Sequence, residues 1–498
     1  MSLQTNKSAI KRRHLLSGIA AGIAVTAFDP LSRQWFTSAQ AQPESAIDIP
    51  DLDGQILIDP AALEEFADDF GHLVSRTPIA VLQPGSKQDI AKAIQYANYF
   101  GIAIAMRGQG HAPFGQAQVD AGLVIDSRSL NAIHSIDADK AVVDPGVTLL
   151  ELLEATIPEG LTPPTLTDYL ELSIGALSQT GGIGGHTQRF GLVADTILEI
   201  EAITGQGEMI RCSAEQQPEL FNSLVGGLGQ FCVVTQVTLA LIPAPTNARV
   251  YRLSYNNLDE YLAAQHQALT EARFSFLEGQ AFPDPSGEGW DYFIEAASYY
   301  EPDQPPDDDA LLQDLNPDAG VEILEFSYFD WQNRLAPIVA DLQSSGVWEF
   351  PHPWLNLFLP DSQVSSYMRS VLQNLAASDV NGPVLLYPFL RSKLTRPFIK
   401  VPEEDVVYLF SLLRTAEPNS EMVNAMLAAN RALFEQAREQ GGKSYQVNAL
   451  PFSQPDWVSH FGDDWERFVQ TKDDLDPQKL LAPGQGIFAG GPTKYEPY

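Results

Sequence analysis

Met106-Arg-Gly-Gln-Gly-His-Ala-Pro-Phe-Gly-Gln-Ala-Gln118 sets two glycines directly ahead of a histidine. Gly108 and Gly110 let successive backbone N–H groups turn towards one point, a concave nest suited to phosphate oxygens. His111 stands at the lip of that nest, where its side chain would meet whatever lies across the glycines. Two further glycine-rich turns follow, Gly181-Gly-Ile-Gly-Gly185 and Gly226-Gly-Leu-Gly229. Neither fits Gly-x-Gly-x-x-Gly, which argues against a nicotinamide-dinucleotide site. Three backbone cradles need a long ligand with several places to grip, and a flavin dinucleotide is one. Asp168 lies between the first two cradles, after Pro163-Pro-Thr-Leu-Thr167. A carboxylate shielded from water beside a flavin is a suitable base, because burial raises its pKa towards neutrality. Taken alone, Gly-x-Gly-His also fits a tight turn with a solvent-facing histidine, and Asp168 also fits a turn or helix-capping aspartate.

The surrounding pattern supplies elements to hold these groups. Pro78–Leu82 reads as a strand, Lys87–Tyr99 as a helix and Gly101–Met106 as a buried strand that stops at Arg107. Leu123–Asp126 and Ala141–Val143 read as strands, with the helix Leu149–Ala155 behind them. Ile197–Ile203 and Glu208–Cys212 form a hairpin, and Ser213 with Gln216 resembles a capping box opening the helix Pro218–Val225. Val233–Ile242 alternates as a strand, and the acidic stretch 43–75 is expected to contain a helix over Pro60–Phe70. From residue 246 the chain has more aromatics, more prolines and longer helices, with a solvated acidic loop over Glu301–Asp309. Ser327–Trp331 and His352–Pro360 are aromatic and apolar, suited to core or to the cover of a dry site.

Arg107-Gly-Gln-Gly-His111 resembles the histidine turn of flavoproteins of the vanillyl-alcohol-oxidase and p-cresol methylhydroxylase (PCMH) type, whose histidine is bonded covalently to FAD. The chain is most similar to cytokinin dehydrogenases. The likeness is carried by Thr167-Asp-Tyr-Leu170, Gly226-Gly-Leu-Gly-Gln-Phe231, His352-Pro-Trp-Leu-Asn-Leu357 and Pro483-Gly-Gln-Gly-Ile-Phe488, in the family's order. It implies an α+β, two-domain PCMH-type FAD-binding fold with an α+β substrate-binding cap. It also implies the oxidation of N6-prenylated adenines, with hydride passing to flavin N5 and Asp168 accepting the amine proton. By the same matching, Glu278 in Phe276-Leu-Glu-Gly279 corresponds to a glutamate at the pocket entrance that meets the purine. Gly108, Gln109, Gly110 and Ala112 would surround the pyrophosphate. His111 would carry the covalent link, while Gln116, Asp168, Ser173, Gln179, Ile183 and Val234 would line the rest of the FAD and Gln485 would close its flavin end. A second link through cysteine, found in berberine-bridge-type relatives, has no counterpart, because 168–186 contains no Cys. Three positions depart from the family: Ala482 replaces a serine, Leu394 replaces a tryptophan of the prenyl pocket, and Val447-Asn-Ala-Leu-Pro-Phe452 replaces Tyr-Leu-Pro-His-Tyr. These departures keep open the oxidation of a sugar, polyol or other alcohol, and a non-catalytic flavin- or small-molecule-binding protein remains the rival from another class.

The chain of 498 residues is expected to divide into an export signal (1–41), an FAD domain (42–245), a substrate domain (246–440) and a tail (441–498) that returns to the FAD domain. Lys11-Arg-Arg13, the apolar run from Leu15 to Phe28 and Ala39-Gln-Ala41 make up the signal. The paired arginines suggest twin-arginine export, an ordinary secretory signal being the alternative, and either predicts a periplasmic or secreted protein. The formal charge of −34 repels nucleic acid and anionic membranes, so neither is an expected partner. The run is too short for stable membrane insertion. The expected partners are a small-molecule substrate and a quinone-like or oxygen electron acceptor. Cys212 and Cys232, on opposite flanks of a helix, are expected to be buried small hydrophobes rather than a disulfide.

Overall fold

The computed structural model describes residues 51–488, apart from 287–288, 376–378, 381 and 419–420, together with the backbone of two paired strands, Val25–Asp29 and Gln34–Thr37. The export signal expected over 1–41 otherwise lies outside the described residues.

Three sheets organise the protein, and the first positions the glycine nest. Its strand order is Gln55–Leu57, Ala80–Gln83, Leu123–Asp126, Ile104–Arg107, with the last three parallel. Parallel strands need a crossover, which the helix Lys87–Phe100 supplies. Ser86 caps that helix by accepting from Asp89 N, and Gly101 ends it at φ 70°. Ile90, Ile94 and Ala97 recur at helical spacing and are buried against Ala80, Leu82, Ile104 and Ile125. The expected strand at 101–106 begins only at Ile104, because Gly101 is spent on the helix cap. It runs through Arg107, so the nest opens at the carboxyl end of a parallel strand, where ligands of open α/β sheets bind.

The second sheet is antiparallel throughout, in the order Met209–Ser213, Ile197–Thr204, Cys232–Ala240, Lys140–Val143, Ile133–Ile136. Cys212 and Cys232 are free and buried within it. The capping box at Ser213 is not formed. Ser213 Oγ instead accepts from Glu215 and Gln216 N–H in a turn, and the helix Pro218–Leu224 starts after Gln217, which has a φ of 57° and makes no side-chain capping bond. The helix after Pro60 stops at Phe66, four residues earlier than the apolar pattern suggests. Residues 69–72 are drawn off to bond the nest: Phe70 N donates to Gly110 O and Gly71 N to Ala112 O.

The third sheet covers the other two. Its eight strands run Gly320–Ser327, Asn247–Tyr255, Trp290–Tyr300, Phe276–Pro283, Val384–Leu390, Val406–Leu412, Leu355–Pro360, Lys443–Ser444. Helices Leu258–Thr270, Asp361–Asn374 and Glu421–Glu439 bury one face of it through residues such as Tyr261, Tyr367 and Phe434. The acidic stretch 301–309 is not wholly solvated: Asp308 accepts from Tyr251 OH (2.6 Å) and pairs with Arg249 (3.0 Å). After Lys443–Ser444 the chain leaves this sheet, and Leu481 bridges to Ile104 at the edge of the first. The C-terminal segment therefore touches both the cap and the nest-bearing sheet. Among the described residues no helix is long and apolar enough to cross a membrane.

Candidate active site

A cavity of about 1260 Å³ runs between the two smaller sheets and the eight-stranded cap. Pockets for drug-sized ligands are roughly 300–1,000 Å³, so this one has room for a dinucleotide and a second molecule together. Gly108, Gln109, Gly110, His111, Ala112 and Gln116 form one wall, and Ser173, Gln179, Ile183, Val234 and Gln485 form another. Asp168 and Glu278 lie where the glycine-lined part meets the cap.

The nest is held tightly from outside. Arg107 donates to the carbonyls of Glu65 and Asp68, and Gly110 sits at φ 72° directly over its guanidinium. A Cβ on Gly108 would overlap Ser173 Oγ, which is buried and has no hydrogen-bond partner. An unpartnered buried hydroxyl facing a glycine nest is a donor and acceptor awaiting a polar ligand. Gln179 joins the other two cradles: its side-chain Oε1 accepts from Gly229 N (3.1 Å) and its carbonyl from Leu228 N (3.2 Å). Gly181 and Gly182 take φ of 112° and 74°, and Gly182 N donates to Tyr445 OH (3.0 Å). Gln116 ties the first wall to the C-terminal segment by donating to Asn448 O (2.8 Å). The turn Pro483–Gln485 packs on the same wall, where a Cβ on Gly484 would overlap the carbonyl of Gly115. These residues fit an elongated phosphate-bearing cofactor gripped along its length.

His111 is enclosed by rings. Phe70 lies 4.0 Å away between centroids, Tyr169 4.8 Å, and Trp348 and Trp354 each 5.8 Å. Burial, aided by neighbouring His352, pushes the imidazole down to about 3, so it is uncharged at neutral pH with a lone pair on one ring nitrogen.

The carboxylates are arranged differently from the sequence expectation. Glu278, expected at the entrance, is fully buried on strand Phe276–Pro283. Arg334, which sequence reading missed, donates from Nη2 to Asp168 Oδ1 (2.7 Å) and to Glu278 Oε2 (3.1 Å). Tyr387, also missed, donates to Asp168 Oδ2 (2.8 Å). Burial alone would raise Asp168, as expected from its surroundings. The Arg334 charge and the hydrogen bonds from Tyr387 and Arg334 act against it, and the carboxyl falls below its ordinary range. The raised group is Glu278, driven well up by burial and then by the Asp168 charge. No pattern within the sequence marked Arg334 or Tyr387. Arg334 follows the aromatic stretch Ser327–Trp331, and Tyr387 sits in an apolar strand where core is the default reading.

Of the three departures, Ala482 lines the cavity, with φ 49° and its carbonyl accepting from Gln230 Nε2 (2.9 Å). Val447 also lines it. Leu394 packs instead with Phe358, Tyr387 and Phe389 behind the wall. Among the described residues no cluster of His, Cys, Asp and Glu could hold a metal ion.

Residues 284–488 match the family described as "Cytokinin dehydrogenase 1, FAD and cytokinin binding", and residues 78–213 match the FAD binding domain family. An uncharacterized oxidoreductase of the fasciation locus of Rhodococcoides fascians is 37% identical over 84% of this chain and 95% of its own length. Cytokinin dehydrogenase 2 of Arabidopsis thaliana is 33% identical over 89% of this chain and 95% of its own. The crystal structure of 6-hydroxy-D-nicotine oxidase from Arthrobacter nicotinovorans superposes with a TM-score of 0.68, at 23% identity, covering 86% of this chain and 96% of that one. That likeness is one of fold: a PCMH-type FAD-binding unit with a cap.

Proposed function

This chain belongs to the cytokinin dehydrogenase family of FAD-dependent oxidoreductases, and from that premise we propose that it oxidises the side-chain amine of N6-prenylated adenines. The observation that carries the reading is Asp168: a carboxylate held ionised at the join between the glycine cradles and the cap, with Glu278 beside it. Bound FAD would supply the hydride acceptor. Asp168 accepts the proton of the substrate nitrogen as hydride leaves the adjacent carbon. The product is an imine, which water hydrolyses to adenine and an aldehyde, and a quinone-like acceptor or oxygen takes up the two electrons. Each carboxylate oxygen of Asp168 already accepts one bond and keeps lone-pair capacity for the substrate N–H. Glu278 is suited to meet the purine ring. Anaerobic addition of isopentenyladenine to the flavin-loaded protein is expected to bleach the flavin absorbance. Bleaching by sugars or polyols but not by isopentenyladenine would refute the amine assignment.

His111 would hold the FAD covalently, since an uncharged imidazole nitrogen in an aromatic cage carries the lone pair that such a link needs. Acid-precipitated wild-type protein is expected to stay yellow, and His111→Ala to release all its flavin to the supernatant. Colourless wild-type precipitate would eliminate the link. Export through residues 1–41, giving a periplasmic or secreted protein that begins near Gln42, completes the proposal, and N-terminal sequencing of the exported protein tests it.

A further inference from the structure

Four strands of the cap carry charged residues in register. Glu322, Arg252, Glu295 and Glu278 stand opposite one another on Gly320–Ser327, Asn247–Tyr255, Trp290–Tyr300 and Phe276–Pro283. The row runs from the exposed edge of the sheet to the buried floor of the site. Arg252 binds Glu322 (3.4 Å) and Glu295 (3.1 Å), so the charge of Glu295 is answered from the outer side. Arg334 reaches Glu295 only at 3.6 Å through Nε, while Nη2 contacts both Asp168 and Glu278. Its guanidinium lies over the rings of Trp331 (4.4 Å) and Phe276 (4.8 Å), contacts that favour this placement. One largely buried cation thus faces a sealed carboxyl, Glu278, and a second, Asp168, whose side chain is 20% exposed. Two carboxylates drawn to one guanidinium nitrogen repel each other, which favours a proton on one of them. The donors decide where it sits. Asp168 receives Arg334 on one oxygen and Tyr387 on the other, whereas Glu278 Oε1 is fully buried and has no partner.

We infer that Arg334 is a positioning residue that fixes this shared proton, keeping Asp168 as the carboxylate and Glu278 as the carboxylic acid. The role deepens the amine-oxidase reading and rests on it for its catalytic meaning: the base is free to take a proton, and its neutral neighbour adds no second negative charge beside it. The protonation pattern itself belongs to this chain whatever the substrate is.

Infrared spectroscopy of the flavin-loaded protein at neutral pH tests it, because a protonated carboxyl has its own C=O stretch. The expected spectrum contains a carboxylic-acid band that disappears in Glu278→Gln and persists in Asp168→Asn. Acidification should then convert the Asp168 carboxylate to acid, a change absent from Asp168→Asn. In Arg334→Met that conversion should occur at a pH higher by roughly 1–3 units, the usual effect of one close opposite charge. Arg334→Lys, which restores the charge without the fork, should recover part of the shift. A band lost in Asp168→Asn instead, or an Asp168 titration unmoved in Arg334→Met, would overturn the inference. Should Arg334→Met not fold, the comparison of wild type with the two carboxyl variants still decides where the proton lies. Failure of isopentenyladenine to bleach the flavin removes the substrate reading and leaves these infrared outcomes decisive for Arg334.

Discussion

Asp168→Asn is expected to lower the rate of flavin reduction by isopentenyladenine roughly 10²–10⁴-fold, the usual contribution of a positioned general base. The amide has nearly the carboxylate's shape, and its oxygen can still accept from Arg334 or Tyr387. Flavin content and the folded state should therefore survive, and stopped-flow absorbance reads the loss directly. Full retention of rate would remove Asp168 from the chemistry. The wild-type pH profile follows from the same geometry. Asp168 is held below the ordinary carboxylate range, so its base form persists as pH falls and kcat/KM should hold through the range in which ordinary carboxylates titrate. Glu278, shifted in the opposite direction, sets the alkaline limb well above its own ordinary range. The two limbs are properties of the pair rather than of either residue. The sign for stability is the same on the acid side: a depressed carboxyl contributes stability above its unfolded pKa, and that contribution is lost as pH falls through the folded value.

Lys472→Met is expected to destabilise the protein by about 3–5 kcal/mol, the cost of leaving one partner of a buried ion pair alone. Lys472 is 1% exposed and Asp476 fully buried, with 2.8 Å between Nζ and Oδ2. Burial, more than any neighbour, depresses the lysine, with Asp476 acting to restore it. Its remaining protons go to Gln230 O (2.7 Å) and Leu481 O (3.0 Å). The helix Trp465–Leu475 is thereby fastened to the third glycine turn and to the segment that leads into Pro483–Gln485. Urea unfolding should show a lower midpoint with an unchanged slope, and flavin content should fall with it. The double variant Lys472→Met/Asp476→Leu should recover only part of the loss, because Asp476 also accepts from Leu480 and Leu481 N–H. A midpoint unchanged in Lys472→Met would show that the pair contributes nothing.

The sequence by itself determined the parts whose meaning is local. Glycines at 108 and 110 after a β-branched and apolar run predict a strand ending in a nest, because positive φ and close approach are properties of the residue itself. The crossover helix was legible over Lys87–Tyr99, whereas Gly101, read as the start of the next strand, closes the helix instead. Family membership was legible from several short motifs in order. Local signals failed where a distant contact outweighed them. The apolar run after Pro60 continues to Phe70, yet the helix stops at Phe66 because Phe70 and Gly71 bond the nest some forty residues on. Ser213 and Gln216 have capping-box spacing, but the chain turns at Gln217 and the box never forms.

Only the tertiary structure set the surroundings of the two carboxyls. Asp168 looked like a carboxyl whose pKa burial would raise, and Glu278 like a group at the entrance. Arg334 lies 166 residues from Asp168 and Tyr387 lies 219 residues away, and the fold brings both onto its two oxygens. Electrostatic energy in a dry site depends on distances of a few ångströms and on which donors remain unshared. Such distances are set by how the eight-stranded cap seats over the glycine turns, and residue order along the chain carries no record of them.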